Sequence, residues 1–247
     1  MIIADDMSPS TLNPFAPGGD HFIVAIIGQA WMTGAWDIDG YTLERIPDVL
    51  TELPTVANGG VVVNADGTMT VTYHIRDAAR WSDGVPISGD DFQFTMEAAV
   101  DTPQDNKFAS PYTDARIIAT EVGDKTFTMT LRRPTMQHQL LFRWLIPRHA
   151  VEGTNLAEDW NTTTWPSGGP FVLELFDENT AATFVRNENY WKTDPATGMQ
   201  LPYLDRVEFV FLRDIDPVLG ITKLVNAFKA REVDVIQPPP STKYTID

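Results

Sequence analysis

At 247 residues, 43% apolar and without cysteine, the chain has room for one large domain or two modest ones and is too apolar for wholesale disorder. Its 34 acidic against 18 basic side chains leave a formal charge of −16, which repels phosphate and argues against nucleic acid or an anionic membrane as the main partner. Without thiols there are no disulfides, no cysteine-based metal site and no thiol nucleophile.

Residues 1–6 carry no basic start and no long apolar run, so no signal peptide is expected within the chain, although a chain beginning after signal removal reads the same way. The most apolar segment, residues 22–30, is too short to span a bilayer. Pro9, Pro14 and Pro17 with Gly18 and Gly19 make residues 8–20 a loop. Asp20 is expected to cap a buried helix over about residues 21–32, where Phe22, Ile23, Ile26, Ile27 and Ala30 recur at helical spacing.

After a proline-punctuated link, Val61-Val62-Val63 and the alternating run Met69, Val71, Tyr73, Ile75 predict a β-hairpin turning at Asp66-Gly67. Trp81-Ser82-Asp83-Gly84 with Pro86 is dense turn chemistry. Ser88 then opens a capping box with Asp91, and Ile87 and Phe92 stand where a hydrophobic staple needs them, predicting a helix over about residues 89–100.

A second hairpin is expected over residues 116–132, with Gly123-Asp124 as a type II′ turn and Phe127, Met129 and Leu131 facing a core. Pro134 opens a short helix with Met136, Leu140, Leu141 and Trp144 as its apolar stripe. Residues 151–169 read as irregular, 171–176, 181–186 and 205–212 as strands, and 187–202 as loop. Asp216-Pro217 is expected to start a helix with Val218, Ile221, Val225 and Phe228 on one face, followed by a short strand at 233–236 and the triplet Pro238-Pro239-Pro240. The class is α+β with mixed strands.

Several strings fall in one known order. Thr11-Leu12-Asn13-Pro14, Trp81-Ser82-Asp83-Gly84, Asp90-Asp91-Phe92, Ser167-Gly168-Gly169-Pro170-Phe171, Asn187-Glu188-Asn189-Tyr190-Trp191, Leu201-Pro202-Tyr203-Leu204-Asp205 and Ala230-Arg231-Glu232-Val233-Asp234 resemble the strings of the peptide/nickel-type (family 5) solute-binding proteins of bacterial ABC importers. Gly168 stands where that family usually has Thr, and Arg231 where it has Gly. The resemblance implies a periplasmic-binding-protein-like lobe made of residues 1–41 and 169–247, with residues 42–168 as an inserted smaller α+β domain. It implies an opposite lobe after Asp234, missing from this chain. It also implies a monomer, periplasmic or extracellular, with a surface lipoprotein as one form. Such a protein hands an oligopeptide, or in some members an oligosaccharide or metal chelate, to an ABC permease and needs no cofactor.

By the same resemblance, Pro17, Gly18, Gly19, Asp20 and His21 form a loop that faces the ligand, and Tyr112 lies in a segment that reaches the crevice; an ordinary helix-entry loop and an anchoring surface aromatic are the plain alternatives. Arg143 beside Trp144 can meet a ligand carboxylate in two-pronged fashion or be a solvated arginine at a helix end. Trp81 can line a cleft but fits better as a core aromatic. His21, His74, His138 and His149 have no metal-ligand spacing and read as solvated. Asp90 and Asp91 suggest a glycosidase pair only superficially, since a helix dipole explains two carboxylates in a first turn. No catalytic residue is expected. An acidic-cleft glycoside hydrolase and a surface adhesion module are the alternatives from other classes.

Overall fold

The computed structural model describes residues 1–101, 108–213 and 217–237. In chain order these form β1 (Ile2–Asp5), α1 (Phe22–Trp31), β2 (Trp36–Ile38), β3 (Arg45–Pro47), β4 (Val61–Val63) and β5 (Met69–His74). Then come α2 (Gly89–Asp101), α3 (Ser110–Ala115), β6 (Ile117–Val122), β7 (Thr126–Leu131), a 3₁₀ helix (Met136–Leu140) and α4 (Arg148–Val151). The last are β8 (Phe171–Asp177), β9 (Ala181–Arg186), β10 (Arg206–Phe211), α5 (Pro217–Lys229) and β11 (Val235–Ile236). Among the described residues no helix is long and apolar enough to cross a membrane.

The two expected hairpins join into one sheet of order β4-β5-β7-β6, with Val71 opposite Met129 and Tyr73 opposite Phe127. Period-two alternation puts Met69, Val71, Tyr73, Phe127, Met129 and Leu131 on one buried face. Phe92 of α2 and Phe142 close over that face, their rings 4.9 Å apart and each within 6 Å of Tyr73 and Phe127. Offset and edge-on contacts of this kind add to the ordinary gain from burying aromatic area.

The larger sheet has the order β11-β1-β10-β9-β8. Its β8–β9–β10 part is antiparallel, whereas β1 lies parallel between β10 and β11. The crossover through α5 buries Leu224 and Ala227 with Ala4 and Val233. Phe184 and Phe209 of this sheet belong to the same continuous core as Tyr73 and Phe127 of the other.

Several strings quoted for the family resemblance meet in space at the junction of these layers. The Ser82 N–H donates to Ser167 O (2.7 Å), the Ser167 N–H to Ser82 Oγ (2.9 Å), and the Asn189 side chain to Ser82 O (2.6 Å). Ser167 Oγ donates to Trp31 O (2.6 Å). A Cβ on Gly169 would lie 2.7 Å from the Trp31 carbonyl carbon, so only glycine lets these two backbones approach. Asp48 ties the same region together: it accepts from Thr33 Oγ1 (2.7 Å) and the Gly34 N–H (3.0 Å), and it pairs with Lys192.

Half of the expected capping box at α2 forms: the Ser88 N–H donates to Asp91 Oδ2 at 3.0 Å, but Ser88 Oγ accepts the Asp90 N–H (3.3 Å) rather than that of Asp91, and both Ile87 and Phe92 of the staple are fully buried. Other expectations need correction. His21, not Asp20, caps α1, in extended backbone and without a side-chain cap bond. The Gly123 N–H reaches Thr126 O (2.8 Å), so Asp124-Lys125 forms the turn, and Gly123 lacks the positive φ of a type II′ corner.

The helix after Pro134 is a 3₁₀ turn capped by Thr135, too short to hold an α-helical stripe: Met136 is 68% and Leu140 43% exposed while His138 is 7% exposed. His138 is therefore buried rather than solvated. Phe228 is exposed, and Leu224 takes the inner face of α5. Asp216, the Val218 side chain and Pro238–Pro240 lie outside the described residues.

Candidate functional site

A cavity of about 180 Å³ opens where β2, α3 and the chain after the 3₁₀ helix meet, walled by Phe15, Trp36, Tyr112, Arg143 and Trp144 among others. Local structure explains each wall. The Trp144 ring packs beside Gly28 of α1, where even a Cβ would meet it at ordinary contact distance, 3.4 Å. Tyr112 is buried in α3 and its hydroxyl accepts the Phe142 N–H at 2.8 Å. Burial pushes the Tyr112 phenol far up, so it stays neutral.

Arg143 is neither solvated nor open. Its guanidinium sits 4.1 Å from the Trp144 ring centre and 5.1 Å from that of Trp36, pairs with Asp37 at 3.0 Å and donates to Trp36 O at 3.2 Å. Burial draws it below the ordinary arginine value, and Asp37 and then Asp48 oppose that. Because Asp37 already balances the charge, the cavity presents an aromatic wall with an internally neutralised cation rather than a bare carboxylate clamp.

The structure thus brings Tyr112, Arg143 and Trp144 around one cavity. Pro17, Gly18, Gly19, Asp20 and His21 are not among its walls, although Phe15 just before them is. The glycines of that loop have an internal use: Gly18 has φ +78°, and a Cβ on Gly19 would lie 2.0 Å from Asn13 O. Sequence reasoning missed Phe15, Trp36 and Asp37. Trp36-Asp37 sits in a three-residue strand with no periodic pattern, and only the pairing of an aromatic with an acid hinted at a cation nearby.

The other candidates fall into structural roles. Trp81 is fully buried, and its indole donates to Asp91 Oδ2 at 3.3 Å. Asp91 also accepts the Ser88 and Arg148 N–H groups, and burial raises its pKa. Asp90 pairs with the Arg148 guanidinium at 3.2 Å while Asp91 takes the backbone N–H of the same residue, so both carboxylates are engaged in holding α4 rather than facing a groove. His149 meets Asp83 at 2.7 Å. Among the described residues no group of three or more His, Asp or Glu can hold a metal ion.

Comparison with known proteins agrees with this architecture. Residues 47–246 match the family model of bacterial extracellular solute-binding proteins, family 5, Middle. A probable peptide-binding protein, YejA of Agrobacterium fabrum, is 26% identical over 190 residues, covering 72% of this chain and 29% of its own length. A periplasmic EDTA-binding protein, EppA, superposes with a TM-score of 0.76 at 27% identity, over 96% of this chain and 42% of its own. The oligopeptide-binding protein AppA of Bacillus subtilis, solved with a nonapeptide, shares the fold with a TM-score of 0.76 at 15% identity, over all of this chain and 45% of its own. The chain thus spans less than half the length of these relatives. With a family model covering most of its residues, the chain belongs to the family 5 bacterial extracellular solute-binding proteins.

Proposed function

We propose that this chain is the part of an extracytoplasmic binding protein that supplies one wall of the ligand cleft, and that the whole protein captures a small solute, an oligopeptide first, and delivers it to an ABC permease. The observation that carries this is the aromatic cavity of Phe15, Trp36, Tyr112 and Trp144, with its charge already balanced by Asp37, in a chain of this family. Such a wall suits an apolar peptide side chain: aromatic faces bury area, and no free charge demands a counter-ion. Peptide binding in the names of YejA and AppA supports the same choice.

In this reading, residues 1–41 and 169–247 belong to one lobe and residues 42–168 to an inserted domain, the protein works as a monomer outside the cytoplasm, and no bond of the solute is broken. Pro17 to His21 lie at the rim, and a second lobe closes over the solute by a hinge motion that the ligand favours through its extra contacts with the closed form.

Calorimetry of the full-length protein against peptide, oligosaccharide and metal–EDTA pools tests the proposal. Micromolar binding confined to peptides is expected, and preference for either of the other pools overturns it. The 247-residue chain alone is expected to bind the same peptides far more weakly, since one wall does not enclose a ligand.

A further inference from the structure

A second cavity, of about 200 Å³, also has Trp36 in its wall, the one residue among those described that lines both. Leu50, Pro54 and Tyr73 make it apolar, and Arg45, His138 and Gln139 bring polar groups to it.

His138 is 7% exposed, and its Nδ1 lies 2.7 Å from Thr135 O. A carbonyl only accepts, so Nδ1 carries the ring proton and Nε2 is left as an acceptor. Among the described residues no donor reaches Nε2. His138 lines the cavity, so a donor held there can reach this acceptor.

Arg45 is the opposite case to Arg143. Its guanidinium lies 4.9 Å from the Trp36 ring centre and donates to the neutral Gln139 Oε1 at 3.1 Å. Among the described residues no carboxylate pairs with it, in a chain with 34 acids and 18 bases. One cavity thus offers a hydrogen-bond acceptor, a cation without a counter-ion and apolar walls. Its volume matches a single ring, since cavities of about 150 Å³ hold benzene.

We propose that this cavity is a binding site for a small aromatic acid carrying a hydroxyl group, whose hydroxyl donates to His138 Nε2 and whose carboxylate meets Arg45. The ring packs between Leu50, Tyr73 and Pro54. The site is independent of solute capture in the main cleft, because it shares only the Trp36 wall with it, and it tests separately from the function proposed above.

The test titrates the chain with 4-hydroxybenzoate, benzoate and phenol, read by calorimetry and by ligand-observed NMR. The hydroxy acid is expected to bind about tenfold more tightly than either probe that lacks one group, the worth of one good hydrogen bond or ion pair. His138→Phe brings 4-hydroxybenzoate down to the benzoate level and leaves benzoate unchanged. Arg45→Met brings it down to the phenol level. Equal binding of the three probes, no binding at millimolar concentration, or wild-type discrimination in both variants overturns the proposal. If His138→Phe does not melt cooperatively, Arg45→Met, altered on the surface, decides together with the wild-type ratios.

Discussion

The two sheets close their layers over different distances along the chain. In the four-stranded sheet every pairing joins residues brought near by hairpins or by the stretch through α2, α3 and β6, the farthest being Met69 with Leu131. In the five-stranded sheet, Ile2 lies opposite Glu208 and Ile3 opposite Val235. Loop-closure entropy makes the second kind of contact slower to form, and it depends on many other parts already being in place. One core nevertheless runs through both, so how independently the sheets open is a measurable property.

The largest expected effect comes from the long-range sheet. Ala4 is fully buried against Leu224 and Val233, so Ala4→Asp places an unpaired charge there and costs about 3–5 kcal/mol. Hydrogen exchange is expected to show lost protection in β1, β10 and β11 while β5 and β7 keep theirs. Uniform loss would break the comparison and make the chain one cooperative unit. Gly169→Ala comes next, at about 1–3 kcal/mol, because its Cβ meets Trp31 backbone that has little room to yield. It sits where the layers join, so both sheets should lose protection together.

A smaller effect sharpens the local sheet. Thr128 Oγ1 donates to Thr72 Oγ1 at 3.2 Å across β7 and β5, and Thr128→Ala should cost about 0.2–1 kcal/mol in urea unfolding, with protection lost only in the four-stranded sheet. The smallest effect is in pH dependence. Burial raises the pKa of Asp5 in β1, and the Met7 N–H only partly opposes it. The folded chain therefore holds that proton more tightly than the unfolded chain. Asp5's contribution is complete below the unfolded carboxyl value of about 4 and is lost as pH rises through the raised value. Asp5→Asn should gain on the wild type as pH climbs from 4 to 7, read as urea midpoints. A gain in the other direction would show that the Met7 bond outweighs burial.

The same difference in range explains what the sequence made legible. Hairpins and the α2 cap are written in neighbouring residues, and alternation at Met69–His74 and Thr126–Leu131 marks the buried face without help from elsewhere. β1 is four residues whose strand character comes from partners over 200 positions away, so Ile2-Ile3-Ala4-Asp5 gave no local signal. The site was half readable. Arg143 and Trp144 stood out as a pair, but the partners that settle the state of the arginine, Trp36 and Asp37, are more than a hundred residues earlier. His138 misled because exposure was judged from polarity, whereas a tight 3₁₀ turn lets a ring fold back on Thr135 and leave solvent.

The placement of β1 also bears on the order of synthesis. The ribosome releases β1 roughly two hundred residues before its partners in β10 and β11. Until β10 has emerged, β1 is an unpaired, apolar-edged segment, while both hairpins of the other sheet can already form. A nascent chain paused anywhere between β1 and residue 206 keeps that segment unpaired, and β1 is therefore expected to be a chaperone contact of the unfinished protein.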